Sequence, residues 1–361
     1  NSLGLLLMIK GDYTAAEPLH REALALRRKR LGPEHADVAQ SLYSLALLLR
    51  NKGDYDAAES LFREALALRR TLRGEEHPDV AASLSGLAEL LRDMGDYDAA
   101  EPLHREALAL RRKRLGPEHA DVGTSLNNLA LLLRDMGDYD AAEPLFREAL
   151  TIYSKQLGEE HVYTATVMYN LALVLRDMGD YDAAEPLFRE ALVIERKQFG
   201  ENNMRVAITL SNLAELLRRK EDYNAADSLF RKALDLLRDQ LPEKHPRIAA
   251  ALVGLGHLRL DQGQPGEAEP LLREALGIRE QALPEEHWQR AEVQSLLGAC
   301  LAAQQRFDEA EPLLLEGYDR LRTARGEQDS YTQKAREHLA DLYTAWGKPD
   351  QTRAYHAAQA K

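Results

Sequence analysis

A period of about 42 residues governs this chain almost without insertion or deletion. Gly11, Gly53, Gly95, Gly137, Gly179 and Gly263 share one register, and each of the first five is followed by Asp-Tyr. Repetition at this length marks a solenoid, in which each unit buries its apolar face on its neighbours and none folds well alone. Residues 11–38 and 95–122 differ only at Thr14 versus Asp98, which reads as duplication of a two-repeat block. Although 361 residues would ordinarily imply two or three domains, strict repetition predicts a single array over 1–361, because a solenoid lengthens without splitting its core.

Within one unit, residues 36–77, two helices are expected. Leu42, Leu45, Ala46 and Leu49 are spaced i, i+3, i+4, i+7, one face of a first helix. Gly53 suits a left-handed C-cap. Asp56 and Glu59 are spaced as a capping box for a second helix, with Asp54 as a rival N-cap. On that second helix Ala58, Leu61, Phe62, Ala65, Leu66 and Leu68 form the expected buried stripe. Gly74 closes it, and Pro78 opens the next first helix at a position where a missing N–H costs nothing. Small residues recur where helices approach: Ala46, Ala88, Ala130, Ala172, Ala214, Gly256 and Gly298. Pro18, Pro102, Pro144, Pro186, Pro270 and Pro312 fall four residues past the Asp56-type cap, so a loosened first turn is expected there.

This pattern resembles the tetratricopeptide repeat. Leu42, Leu45, Ala46, Leu49, Ala58, Phe62 and Ala65 match its large-large-small-large and Ala-aromatic-Ala places in order. The usual unit is shorter, about 34 residues; the extra length lies at the end of the second helix and the loop after it. Leu115–His119 and Asn127–Ala130 are similar to the repeats of kinesin light chain and of many bacterial proteins. The heptad coiled coil that joins those chains to their motor is missing, so motor transport is not implied. The resemblance implies an all-α, right-handed superhelical solenoid of antiparallel helix pairs: about nine pairs, the first truncated and 264–361 degenerate and capping. A polar, Ala-rich final helix around Gln351–Lys361 suits the terminal cap. Richness in Ala, Leu and Arg points to a bacterial source. The stretch from Glu311 to Pro349 resembles the tail of signalling proteins in which such arrays follow a kinase domain.

Composition narrows the function. A net charge of −12 disfavours general nucleic-acid binding. The one cysteine, Cys300, allows no internal disulfide and favours a reducing, cytoplasmic setting; it falls in a core-facing stretch. No apolar run is long enough for a membrane span. Asn1-Ser2-Leu3-Gly4 starts inside a helical pattern, so a piece of a longer protein is expected. Leu5, Leu6, Leu7, Met8 and Ile9 would leave an apolar edge that packs on another molecule or on preceding residues. No phosphate-binding loop, nucleophile elbow or metal-ligand cluster is present, so neither an enzyme nor a cofactor is expected. His35, His77, His119, His161, His245 and His287 recur before the first helices. Equivalent residues of stacked helix pairs stand on the order of 10–20 Å apart, too far to share a metal ion, so these are read as loop or helix-entry residues. His20 and His104 replace the core Phe of other repeats.

The functional candidate is a ladder on the first helices. Arg50, Arg92, Arg134, Arg176 and Arg218 occupy one position in five successive repeats, on the side that lines the concave face in tetratricopeptide arrays. Tyr43, Asn127 and Tyr169, then Leu131 and Leu173, then Asn128, Asn170 and Asn212, share that face. Guanidinium groups bind carboxylates bidentately and Asn amides can hold an extended backbone, so the expected ligand is an extended acidic peptide or partner segment. A second reading stands beside it. Asp93, Asp135 and Asp177 follow three of the arginines, and Glu89 and Glu215 precede two by three residues. The arginines would then be paired on a solvated face. The alternative function is a structural spacer or self-assembly module in a larger bacterial signalling protein.

Overall fold

A computed structural model describes residues 2–9 and 11–356, and the described residues form eighteen α-helices and no strand. In chain order they are α1 (Ser2–Ile9), α2 (Tyr13–Leu31), α3 (Ala36–Lys52), α4 (Tyr55–Arg73), α5 (Pro78–Asp93), α6 (Tyr97–Leu115), α7 (Ala120–Asp135), α8 (Tyr139–Leu157) and α9 (Val162–Asp177). There follow α10 (Tyr181–Phe199), α11 (Met204–Arg219), α12 (Tyr223–Gln240), α13 (Pro246–Asp261), α14 (Pro265–Ala282), α15 (Trp288–Ala303), α16 (Phe307–Arg325), α17 (Ser330–Ala345) and α18 (Pro349–His356). Odd-numbered helices are the first of each pair, even-numbered the second. The chain divides into two compact units, Asn1–Leu187 and Phe188–Lys361. Residues 357–361 of the expected capping helix lie outside the described residues, as do the side chains of Leu5 and Ile9 from the expected apolar edge.

Inside each unit a first helix packs on its own second helix, the second helix packs on the next first helix, and consecutive first helices also touch. Leu42, Leu45, Ala46, Leu49, Ala58, Phe62 and Ala65 are all buried, as the repeat pattern requires. Each large one contributes about 1.5–3 kcal/mol of burial. Leu61 and Leu68 are only half-buried, however. Arg69 takes the buried place in that turn, 4% exposed, donating from Nη1 to Asp79 O (3.0 Å) and Ser83 Oγ (2.8 Å). A guanidinium that finds carbonyl and hydroxyl acceptors can sit in a core where an unpaired charge could not. Second helices are tied to their successors along the array by exposed or half-exposed pairs: Arg28–Glu64, Arg70–Glu106 and Arg112–Glu148 in the first unit, Arg238–Glu274 in the second.

The turns explain the recurrent punctuation of the repeat. Gly53 adopts φ 86°, ψ 8°, its N–H bonds Arg50 O, and the N–H of Asp54 reaches back to Leu49 O. That paired closure needs a left-handed residue, which glycine supplies at least cost. Asp54, not Asp56, caps α4: its Oδ1 accepts from Ala57 N–H, and Asp12, Asp96 and Asp138 cap α2, α6 and α8 in the same way. The residue directly after the left-handed glycine already has the non-helical backbone a cap requires, so it wins over Asp56. With the cap at Asp12, Pro18 lies six residues on, beyond the first turn, and α2 runs through it unbroken.

The recurrent histidines are N-caps. Nδ1 of His35, His77, His119 and His161 accepts the N–H two residues later at 3.1 Å, and His245 and His287 do so at 3.2 and 3.3 Å. Among the described residues no group of three or more His, Cys, Asp or Glu is placed to hold a metal ion, and no described helix is long and apolar enough to cross a membrane. Cys300 is buried, its Sγ donating to Pro265 O.

Candidate peptide-binding face

The arginine ladder lies on the last turns of α3, α5, α7, α9 and α11, and the structure gives every rung a carboxylate. Arg50 donates from Nη1 to Glu89 Oε2 and from Nε to Asp93 Oδ2, both at 2.6 Å. Its side chain is only 17% exposed. Burial alone would disfavour the charged guanidinium, but the Asp93 hydrogen bond and the Glu89 charge outweigh it and hold the proton more firmly than usual. Arg92 is looser, its Nε 3.6 Å from Asp135 Oδ2. Arg134 meets Asp135 at 2.9 Å and Arg176 meets Asp177 at 2.8 Å, each on its own helix.

In the second unit Arg218 grips Glu215 through Nε and Nη2, each at 2.9 Å, and also donates to Asp261. Burial would raise the Glu215 carboxyl, yet the hydrogen bond and charge of Arg218 bring it down to about 2.

The asparagines extend these pairs into a polar chain across four first helices of the first unit. Asn128 Nδ2 donates to Glu89 Oε1 at 2.8 Å, Asn127 Nδ2 to Asn128 Oδ1 at 3.3 Å, and Asn170 Nδ2 to Asn127 Oδ1 at 3.0 Å. Arg50, Glu89, Asn128, Asn127 and Asn170 are thus one connected network on α3, α5, α7 and α9. Asn170 is buried, whereas Asn127 and Asn128 are half-exposed. Asn212, in the other unit, donates to Ile208 O of its own helix. Leu131, Leu173 and Tyr169 are half-buried on the same face. Tyr43 packs edge-on against Phe62, ring centroids 5.5 Å apart, with the Arg69 guanidinium 4.7 Å above its ring.

Two features escaped the sequence reading. The acid partners of Arg50, Glu89 and Asp93, come from the next repeat and not from its own helix. The second-helix series of buried Arg69 and half-buried Arg27 and Arg111 was also missed, although a signal exists: each precedes at constant spacing a serine, Ser41, Ser83 or Ser125, to which it donates.

The tetratricopeptide-repeat profile matches residues 1–71, 37–113, 79–155, 121–197, 163–239 and 205–281, and a second profile of that repeat matches 291–316. The chain belongs to the tetratricopeptide-repeat family. Among solved structures, this repeat array is similar to BtubC (BKLC) from P. vanneervenii, with 26% identity over 63% of this chain and 90% of that one, TM-score 0.54. It is also similar to the apo quorum sensor NprR from B. thuringiensis, with 15% identity over 99% of this chain and 96% of that one, TM-score 0.69. A Podosopora anserina protein described as a putative kinesin light chain with nearly identical TPR-like repeats matches at 22% identity over 58% of this chain and 99% of that one, TM-score 0.48. No curated protein matches the sequence. The tetratricopeptide array supports a protein-interaction scaffold.

Proposed function

We propose that the first-helix face binds an extended acidic segment of a partner protein in a concave groove. The observation that carries this reading is that all five ladder arginines already hold carboxylates, so the face is built as a receptor for that group. Acidic side chains of the ligand would exchange with the chain's own aspartates and glutamates. In the first unit Asn127, Asn128 and Asn170 would hold its backbone, and Tyr43, Tyr169, Leu131 and Leu173 would supply apolar contact between the charges; in the second unit, taken by itself, Asn212 would have the backbone-holding role beside Arg218. An extended ligand advances about 3.3 Å per residue, so one acid every few residues matches the repeat spacing. Exchange of one ion pair for another yields modest affinity that falls as salt screens it.

Fluorescence anisotropy with labelled deca-glutamate, deca-glutamine and deca-lysine tests the proposal. Salt-sensitive binding of deca-glutamate alone, with exchange protection mapping to first helices, is the expected result. Equal binding of deca-glutamine, or protection confined to second helices, would overturn it. A spacer role is the second reading, favoured by the near-identity of 11–38 and 95–122, and it predicts no binding to any of the three. Leu3 and Leu6, exposed on α1, are where the proposed contact of the apolar edge with another molecule would form.

A further inference from the structure

Repeat register compares two equivalent corners of the first unit. In the first, Tyr43, Phe62 and Arg69 close on one another: ring on ring, guanidinium over ring, and Arg69 Nη2 on Gln40 Oε1 at 2.8 Å. The fit is tight enough that a Cβ on Gly86 of the next first helix would stand 2.8 Å from Phe62 Cε1 and 3.0 Å from Tyr43 Cε2.

Moving on by one repeat turns Gln40, Tyr43, Phe62, Arg69 and Gly86 into Ala82, Ser85, His104, Arg111 and Asn128. The carboxamide and the phenol ring that occupied the first arginine are both gone. Arg111 keeps a hydrogen bond to Ser125 Oγ where Arg69 has three acceptors and a ring. Ser85 Oγ and His104 Nε2 are buried without a hydrogen-bond partner, in residues 7% and 1% exposed. Two such orphans in one corner are costly unless something else completes them. Asn128 stands where the preceding repeat has Gly86, and its Nδ2 turns to Glu89 while its Oδ1 accepts from Asn127. Glu89 is committed to Arg50 and Asn128.

Three guanidinium groups act on His104, and the Glu89 and Asp121 carboxylates act on Arg111. Burial, with the charges of Arg92, Arg111 and Arg50, pushes the His104 imidazole down to about 4, so it is neutral at pH 7. His20 repeats the substitution, but the residue matching Ser85 is residue 1, outside the described residues.

We propose that Arg111, Ser85 and His104 form an anchoring notch for the carboxylate of one glutamate or aspartate of the bound segment. Arg111 and the Ser85 hydroxyl donate to the carboxylate oxygens, and His104 adds a third donor in its Nε2–H tautomer. The notch rests on the groove reading above and deepens it. Ladder arginines must release an internal acid to bind, whereas this corner has donors in reserve, so it fixes the register of the ligand.

The test uses labelled deca-glutamate with the full chain and three variants. Ser85→Ala removes the hydroxyl donor without adding bulk beside Asn128, Arg111→Gln removes the cation, and Arg134→Gln alters a ladder rung. The first two are expected to weaken binding about tenfold or more, as loss of a charge-assisted hydrogen bond does, and Arg134→Gln less than threefold. Histidine-selective NMR should show the His104 ring shifting on titration of wild type. Binding left unchanged by Ser85→Ala and Arg111→Gln, or binding without a His104 shift, overturns the notch while the groove stands. Absence of wild-type binding overturns the groove and the notch with it. Should Arg111→Gln fail to fold, Ser85→Ala and the His104 resonance decide alone.

Discussion

Arg50 Nη1 lies 2.6 Å from Glu89 Oε2, a bond between the first helices of adjacent repeats. The pair is partly buried and shared with Asp93, so its loss should be felt more than that of an exposed ion pair. Arg50→Ala is expected to lower stability by about 1–2 kcal/mol, with a coupling to Glu89→Ala of about 1 kcal/mol in a double-mutant cycle. Arg134 meets Asp135 of its own helix, so Arg134→Ala should stay within about 0.5 kcal/mol of wild type. Chemical denaturation of the four variants decides it. Equal effects at Arg50 and Arg134 would show that the cross-repeat pair carries no special weight.

Glu221 and Gln305 stand at the turn position that is glycine elsewhere, and both are forced to positive φ, 63° and 61°. A side chain there costs roughly 1–2 kcal/mol that glycine does not incur. Glu221→Gly and Gln305→Gly should therefore each raise the thermal midpoint, although glycine loosens the unfolded chain. A lower midpoint in both would mean that local bonds have already relaxed these residues.

Helix pairing, the turn glycine and the place of the histidines before each first helix were legible because each follows from spacing within one repeat, whereas the capping role of those histidines was not. Asp54 against Asp56 is open in the sequence, since both suit a cap and only the left-handed backbone of Gly53 decides between them. Contacts between repeats were not legible. Whether Arg50 reaches Asp93 or stays on its own helix depends on how adjacent pairs are stacked, which no local period records. The same stacking buries Asn170 beside half-exposed Asn127, two residues that pattern alone put on one accessible face. Arg69 was hidden for a different reason: arginine in an amphipathic helix reads as surface until Ser83 on the following helix is seen to receive it.

His104 makes stability fall in acid. Its folded pKa of about 4 lies below the ordinary value of 6.5, so the unfolded chain binds the proton more tightly. The stabilising contribution is whole above pH 6.5, drains away as the pH falls towards 4, and changes no further below that. The loss is roughly 3 kcal/mol over that window. Half-buried His338, brought down to about 3 by desolvation and the Lys334 charge, acts in the same sense. His104→Phe, the residue found at Phe62 and Phe146, should flatten the pH 7 to 4.5 slope of the thermal midpoint and raise it at pH 7. An unchanged slope would place the acid lability elsewhere.

The histidine caps separate a backbone hydrogen bond from the side chain that makes it. His245 Nδ1 accepts from Arg247 N–H, and α17 is capped the same way by Asp329, whose Oδ1 accepts from Tyr331 N–H at 3.0 Å. A carboxylate is therefore compatible with this turn. It also favours the positive end of the helix dipole. Removing the acceptor with His245→Ala should cost about 1 kcal/mol and speed amide exchange at Arg247. His245→Asp should preserve protection and match or exceed wild-type stability, because Arg247 lies two residues away. At His119 the same exchange puts the new carboxylate beside Asp121, whose Oδ2 is 3.8 Å from the present ring nitrogen. Like charges there should cancel the gain, so His119→Asp is expected to fall below His245→Asp while still exceeding His119→Ala. Equal melting temperatures for His245→Asp and His245→Ala would mean that the imidazole stabilises the turn by packing and not by capping it.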